Sequence, residues 1–286
     1  MARAEAPAKI NLTLEVLARR PDGYHGVRTV MVPLELADEL AYEPAGEFSF
    51  SCDRPDLSGD DNLIVRAARA TGFPRVAVRL LKRIPTQAGL GGGSSDAATF
   101  LLLAASGALG AVEPFDLPAT ARALGSDVPF FLAECAALVE GTGERVTPLG
   151  NAPPWWVVVV APPAAISTAQ AYAAIDARER ETRPRNTSPS LAAGTALQRR
   201  DFDATQAQLC NDFESVACER QPAIAYAFDA LRDAGARRPL LCGSGACVFA
   251  MTADRASAEK LAQRLQLGGD YGITVTRLRA SARWKP

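Results

Sequence analysis

The sequence predicts a mixed α+β protein built as two domains, and three observations carry that prediction. The chain has 286 residues, 48% of them hydrophobic and 22% charged, enough to bury two cores. Segments with period-two alternation and segments with helical spacing follow one another along its whole length. A Pro153-Pro154 pair interrupts them near the middle, dividing a first domain of residues 1–153 from a second of residues 154–286.

The elements can be justified in order. Ile10, Leu12, Leu14 and Val16 alternate with Asn11, Thr13 and Glu15, the pattern of a half-buried strand, and Pro21-Asp22-Gly23 ends it in a turn. Residues 27–35 and 47–52 read as further strands. Residues 62–71 have helical spacing, with Leu63, Ala67 and Ala70 on one side, and residues 76–81 form a strand. A glycine-rich loop follows, then a helix over 94–108 that packs through Ala97, Ala98, Leu101, Leu102 and Ala105. Asp116-Leu117-Pro118 starts another helix with a capping side chain and a proline just inside it. Residues 136–149 form a hairpin around Gly141-Thr142-Gly143. Beyond Pro154 the order is a strand (156–161), helices including 222–233, strands at 239–242 and 246–252, a helix (255–267) and a strand (273–278). That order is a split β-α-β unit with extra helices inserted. Residues 178–185 are charged, contain Pro184 and read as an exposed loop.

Composition narrows the function. A net charge of −1 argues against nucleic acid or an anionic membrane as a partner, because both ask for a basic face. Lys9, Asn11, Thr13 and Glu15 interrupt any signal core, and the longest apolar stretch (155–166) contains Pro162 and Pro163 and is shorter than the roughly 20 residues of a spanning helix. A cytoplasmic location is expected. The six cysteines form no Cys-x-x-Cys pair and His25 is the only histidine, so the chain lacks the usual zinc spacing, and reduced, buried thiols are expected. Only four basic residues are lysine (Lys9, Lys82, Lys260 and Lys285). In so arginine-rich a chain, a retained point-charge lysine invites a chemical reason.

The run that carries chemistry is Gly89-Leu90-Gly91-Gly92-Gly93-Ser94-Ser95-Asp96, between a strand and a helix. Glycines let backbone N–H groups approach an anion, and the following helix adds free donors and the positive end of its dipole. No lysine stands where a Walker A loop needs one, and Ser94 replaces the third glycine of a dinucleotide fingerprint. The spacing fits a phosphate cradle; it also fits a plain glycine-rich helix start capped by Ser94 or Ser95.

Residues 85–98, from Pro85 through Ala88 and the glycine run to Ala98, resemble the phosphate-binding motif of the GHMP kinase superfamily, named for galactokinase, homoserine, mevalonate and phosphomevalonate kinases. Pro7-Ala8-Lys9-Ile10-Asn11-Leu12 resembles its amino-terminal motif, and Cys242-Gly243-Ser244-Gly245-Ala246-Cys247-Val248-Phe249 its third motif, with Cys242 where a serine is more usual. Arg20-Pro21-Asp22-Gly23-Tyr24-His25, the Gly125–Phe131 segment and Asn211-Asp212-Phe213-Glu214 resemble the branch whose acceptor is a cytidine diphosphate-linked methylerythritol of the non-mevalonate isoprenoid pathway. The resemblance runs from near Pro7 to Thr252. It implies a ribosomal-protein-S5-domain-2-like first domain, a ferredoxin-like second domain, and an active site in the cleft between them. It also implies ATP as phosphoryl donor, Mg2+ as its metal and a small-molecule acceptor, and it allows a homodimer.

By that resemblance Asp127 is the general base and Lys9 the catalytic lysine that offsets charge on the transferring group. From the residues alone Asp127 fits a helix cap as well, and the face that Lys9 shares with Asn11 and Thr13 fits either solvent or a pocket. Pro85, Ala88, Gly89, Leu90, Gly91, Gly92, Gly93, Ser94, Ser95 and Asp96 fall in the ATP-binding motif. Ser95 is the expected protein ligand of Mg2+, and Asp96 fits a helix-start residue too. Asn62 and Leu63 match the adenine pocket, or simply begin a helix. Tyr24 and His25 match the residues that hold the cytosine, with Tyr172 as a second stacking ring. Asn11 and Thr168 match substrate contacts. A base between two rings is held by about 1–3 kcal/mol per stacked face. Tyr24 also suits a turn, and Tyr172 a helix face packed on the core.

Overall fold

The structure is a computed structural model that describes residues 1–20, 23, 25–177 and 187–281. Most of the Pro21-Asp22-Gly23 turn, Tyr24 and the loop at 178–185 lie outside the described residues. The chain runs β1 (Ala2–Arg19), β2 (His25–Pro44), β3 (Ser49–Cys52), α1 (Leu63–Ala70), β4 (Val76–Leu81), α2 (Gly92–Ala105), α3 (Leu117–Leu124), α4 (Val128–Leu132), β5 (Ala136–Gly141) and β6 (Arg145–Gly150). It continues with β7 (Trp156–Ala161), α5 (Thr168–Asp176), α6 (Pro189–Gln198), α7 (Phe202–Ala207), β8 (Cys210–Asn211), α8 (Glu214–Arg220), α9 (Pro222–Asp233), β9 (Leu240–Leu241), β10 (Val248–Thr252), α10 (Arg255–Arg264) and β11 (Gly272–Arg277).

The first two strands are longer than their alternation predicts. β1 and β2 pair antiparallel from Ala2↔Tyr42 to Arg19↔His25, with register shifts between Pro7 and Lys9, between Asn11 and Thr13 and between Val16 and Arg19. The shifts let a strand that begins before Pro7, which has no N–H, stay paired. They also explain why period-two counting stopped short. β2 bends between neighbours: Val27–Met31 pairs with β5, and Glu39–Pro44 pairs with β4. The stretch joining them holds Asp38, an acid that reads as a surface residue and is in fact fully buried.

The first sheet follows the order β3-β4-β2-β1-β8, with β5 and β6 branching from β2. Helices α1 to α4 cover it through a core that includes Ile64, Phe100, Leu101, Phe130 and Phe131. The second sheet, β11-β7-β10-β9, is antiparallel at every pairing. Numbered within the unit, that order is 4-1-3-2, the ferredoxin-like arrangement expected from the split β-α-β reading. β7 reads as an unbroken apolar run because both its faces are covered. Val157 and Val159 join a core with Ile10, Leu12, Leu34 and Phe249, while Val158 and Val160 join one with Phe213, Phe228 and Leu231. None of these four valines is more than 1% exposed, and burying each contributes about 1.5–3 kcal/mol. The shared core fixes β1 of the first sheet against β7 of the second, and the site is built along that seam. Among the described residues no helix is long and apolar enough to cross a membrane.

Candidate active site

β1 carries an unusual stripe of buried polar groups: Lys9, Asn11, Thr13 and Glu15 are each no more than 4% exposed. Burial of such groups is tolerable only when each is paired. Thr13 donates to Ser190 Oγ at 2.8 Å and accepts from the Val30 N–H, and Glu15 accepts from Ser188 Oγ and the Ser190 N–H. Asn11 donates to Thr29 Oγ1 at 2.8 Å. The face that alternation left undecided is thus buried in the interior and paired.

Lys9 Nζ lies 2.8 Å from Asn11 Oδ1, 2.8 Å from the Gly89 carbonyl and 3.4 Å from Asp127 Oδ2. Three acceptors around the three hydrogens of an ammonium fix its position and aim its charge at the one carboxylate among them. Asp127 occupies the N-cap position of α4, yet its side chain makes no capping hydrogen bond. It is 31% exposed, against 3% for Lys9, so the pair is open on the carboxylate side.

The glycine loop meets this pair through its backbone. Ala88 O accepts from the Cys247 N–H, Gly89 O from Lys9 Nζ, Leu90 O from the Lys9 N–H, and Gly91 O from the Ser95 N–H. The loop carbonyls are therefore tied into the protein. The N–H groups of Gly92, Gly93 and Ser94, in the first turn of α2, have no partner among the described residues, which is the condition of an anion cradle. Two glycines here are obligatory. Gly89 has φ +77°, and a Cβ on it would sit 1.8 Å from the Cys242 carbonyl oxygen; Gly91 has φ +73° and would press on Lys9 and Phe131. The third glycine segment closes the arrangement from the other sheet: a Cβ on Gly245 would lie 2.1 Å from Gly89 N, and one on Gly243 3.1 Å from Lys9 Nζ.

The remaining residues fall in three groups. Asn62 caps α1, accepting from the Ile64 N–H and donating to Leu57 O, and Leu63 follows, its Cδ1 3.8 Å from where a Cβ on Gly93 would sit. Pro85 and Ala88 lead into the loop. Ser95 and Asp96 face inward: Ser95 Oγ is buried without a hydrogen-bond partner, and Asp96 joins a cluster that sequence reasoning missed. Lys82 Nζ bonds both Asp96 Oδ2, at 2.8 Å, and Asp38 Oδ2. Asp38 also accepts from the N–H groups of Arg83 and Ile84. One ammonium thus lies between two buried carboxylates, and only Asp38 has backbone N–H donors as well. Burial, only partly opposed by Lys82, pushes Asp96 up to about 8. For Lys82, burial pushes downward and the two carboxylates more than offset it, so the net shift is upward. The scarcity of lysine was the one sequence signal that pointed to this residue. Cys242 and Cys247 are buried free thiols whose pKa values burial raises, the state of inert core cysteines.

The third group borders the second domain. His25 stacks on Tyr172 with ring centroids 5.8 Å apart and planes 9° from parallel. Its Nδ1 lies 2.9 Å from Leu17 O and its Nε2 2.6 Å from Asp176 Oδ1, so both ring edges are held. Thr168 Oγ1 and Ser244 Oγ are 2.8 Å apart, joining α5 to the glycine hairpin. The structure thus gathers Lys9, Asn11, Asp127 and the glycine loop at one point, and His25, Tyr172 and Thr168 beside it. Asp176 could not be found from sequence, since its role depends on a contact 151 residues away in the chain.

Comparison with known proteins shows the family. The family models described as "GHMP kinases N terminal domain" and "GHMP kinases C terminal" match residues 62–134 and 195–270. A 4-diphosphocytidyl-2-C-methyl-D-erythritol kinase of Symbiobacterium thermophilum is 44% identical over 92% of this chain and 94% of its own length. One from Deinococcus radiodurans is 41% identical over 96% of this chain and 92% of its own. A crystal structure of a 4-(cytidine 5'-diphospho)-2C-methyl-D-erythritol kinase superposes with a TM-score of 0.79 at 37% identity, covering 96% of this chain and 99% of that one. A homoserine kinase from Cytophaga hutchinsonii, TM-score 0.71 at 16% identity, shares the fold alone.

Proposed function

We infer the activity from one premise: this chain belongs to the 4-diphosphocytidyl-2-C-methyl-D-erythritol kinases of the GHMP kinase superfamily. It is a kinase that phosphorylates the 2-hydroxyl of 4-diphosphocytidyl-2-C-methyl-D-erythritol, a small-molecule acceptor of the non-mevalonate isoprenoid pathway. ATP is the donor we assign, and a cytoplasmic location follows from the metabolite it acts on. We assign residues 1–153 to the nucleotide side and residues 154–286 to the acceptor side, with Asn11 and His25 reaching the acceptor from the first. The acceptor oxygen forms a bond to the γ-phosphorus as the bond to the bridging oxygen breaks, and ADP leaves.

The observation that carries the roles is the Lys9–Asp127 contact set against the glycine loop. Asp127 accepts the proton of the acceptor hydroxyl; its carboxylate is uncapped, partly open and oriented by Lys9. Lys9 offsets the negative charge that gathers on the transferring group. The first-turn N–H groups of α2 hold the phosphates. Ser95, whose buried Oγ has no other partner, is the protein oxygen we assign to Mg2+, which would offset charge on the triphosphate. His25 and Tyr172, with Tyr24, hold the cytosine, and Asn11 and Thr168 contact the polar groups of the acceptor.

The test is an ADP-release assay with Mg2+ and ATP, comparing 4-diphosphocytidyl-2-C-methyl-D-erythritol with homoserine and mevalonate. Turnover on the cytidine compound alone is expected. Turnover on another acceptor would discard the cytosine pocket, and ATP binding without turnover on any would mark a silent nucleotide-binding protein.

A further inference from the structure

Asn211-Asp212-Phe213 marks the family in the sequence, yet the catalytic account gives it no task. The three residues lie at the seam where β8 pairs parallel with β1 (Leu14↔Asn211), and each holds a different part of the site. Asn211 is 7% exposed and its amide is fully used. Nδ2 donates to Leu241 O at 2.9 Å and to Gly243 O at 2.7 Å, while Oδ1 accepts from the Phe213 N–H at 2.9 Å. Two carbonyls on one end and an N–H on the other leave a single orientation for the amide. Gly243, with φ +56°, is the residue whose missing Cβ gives room to Lys9 Nζ, the Gly89 carbonyl and Asn11 Oδ1. Holding its carbonyl therefore holds the hairpin against the catalytic lysine.

Asp212 grips the strand that carries that lysine. Its N–H donates to Leu14 O at 3.0 Å, and its Oδ2 accepts from the Val16 N–H at 2.8 Å. Phe213 turns the other way. It is 1% exposed and meets Tyr172 edge-on, with centroids 4.9 Å apart and planes at 85°. Tyr172 in turn faces His25. One short segment thus sets the hairpin beside Lys9 through Asn211 and the stacking ring through Phe213.

We propose that Asn211 and Phe213 are positioning residues with separate outputs: Asn211 holds the Gly243 hairpin against Lys9 for phosphoryl transfer, and Phe213 holds the Tyr172 ring for recognition of the acceptor's base. The proposal rests on the reading of the chain as a kinase of a cytidine-bearing acceptor. A purely structural role would lower stability and leave the kinetic constants of the folded enzyme alike in both variants.

Steady-state kinetics of Asn211→Asp and Phe213→Leu, with thermal melts and calorimetric binding of cytidine diphosphate, separate these outcomes. Asn211→Asp loses both donated bonds and sets a carboxylate against two carbonyls; kcat falls at least about tenfold while the KM for the acceptor stays within about twofold. Phe213→Leu raises the acceptor KM and weakens cytidine diphosphate binding about fivefold, with kcat and the KM for ATP kept. If Asn211→Asp does not fold, Asn211→Ser, which keeps one donor, carries the same expected split. Variants that move the same constant, or that lower only the melting temperature, overturn the inference alone. A wild-type protein that neither binds cytidine diphosphate nor turns over the cytidyl acceptor overturns the functional reading instead.

Discussion

The two sides of the site are built differently. On the phosphoryl-transfer side, Lys9 and Asn11 are buried and several contacts close on backbone: Lys9 to Gly89 O, Leu90 O to the Lys9 N–H, Asn211 to Gly243 O. On the base side, Tyr172 and Asp176, whose carboxylate is 40% exposed, sit on α5, a helix of nine residues, and His25 meets both from the start of β2. Groups that stabilise a transition state must be preorganised to within fractions of an ångström, and burial among fixed carbonyls achieves this. Recognition of a flat base asks only for a face to stack on. The architecture therefore separates reactivity from selectivity, and substitutions on the two sides should change different constants.

The largest effect belongs to Asp127→Asn. It keeps the shape of the side chain and removes the proton acceptor, so kcat should fall about 10²–10⁴-fold with the melting temperature little changed, read by ADP release and a thermal melt. Near-normal turnover would break the catalytic half of the comparison. Lys9→Ala comes next, with a loss of about 10²–10³-fold in kcat. It also leaves Gly89 O and Asn11 Oδ1 without their donor, so some stability should go with it. Tyr172→Leu should raise the KM for the acceptor by about tenfold, the worth of one stacked face, and leave the KM for ATP alone. A fall in kcat with an unchanged acceptor KM would erase the distinction between the sides.

How much of this was legible in the sequence follows the same division. The glycine run announced itself because its chemistry is local: positive φ at Gly89 and Gly91 and a helix start are properties of adjacent residues. The split β-α-β order and the apolar β7 were readable for the same reason. The covering of Lys9 was not, since alternation says which residues share a face and nothing of what lies over it. Thr13 meets Ser190 across 177 residues, and no local pattern encodes that contact. Asp38 and Lys82 hid for a related reason: buried charges imitate surface ones until their partners are seen.

That cluster gives the smallest prediction. Asp96 in the folded protein keeps its proton up to about pH 8, whereas the unfolded chain loses it near its ordinary 3.8. Between those values the folded state binds the extra proton, so raising the pH favours unfolding. Asp96→Asn removes this dependence. Its melting temperature relative to wild type should therefore rise from pH 5 to pH 8.5, and a difference that is flat or falls would show that Asp96 is ionised in the fold.

The account as a whole rests on one acceptor carrying both a reacting hydroxyl and a base that pays for its placement. The most direct test replaces 4-diphosphocytidyl-2-C-methyl-D-erythritol by 2-C-methyl-D-erythritol 4-phosphate, which offers the same hydroxyl and no cytidine, and measures kcat/KM by ADP release. Remote binding energy used to orient the reacting group predicts a loss of at least about 10²-fold. Comparable kcat/KM on the two acceptors would contradict the account, because the His25–Tyr172 side would then contribute nothing to the reaction.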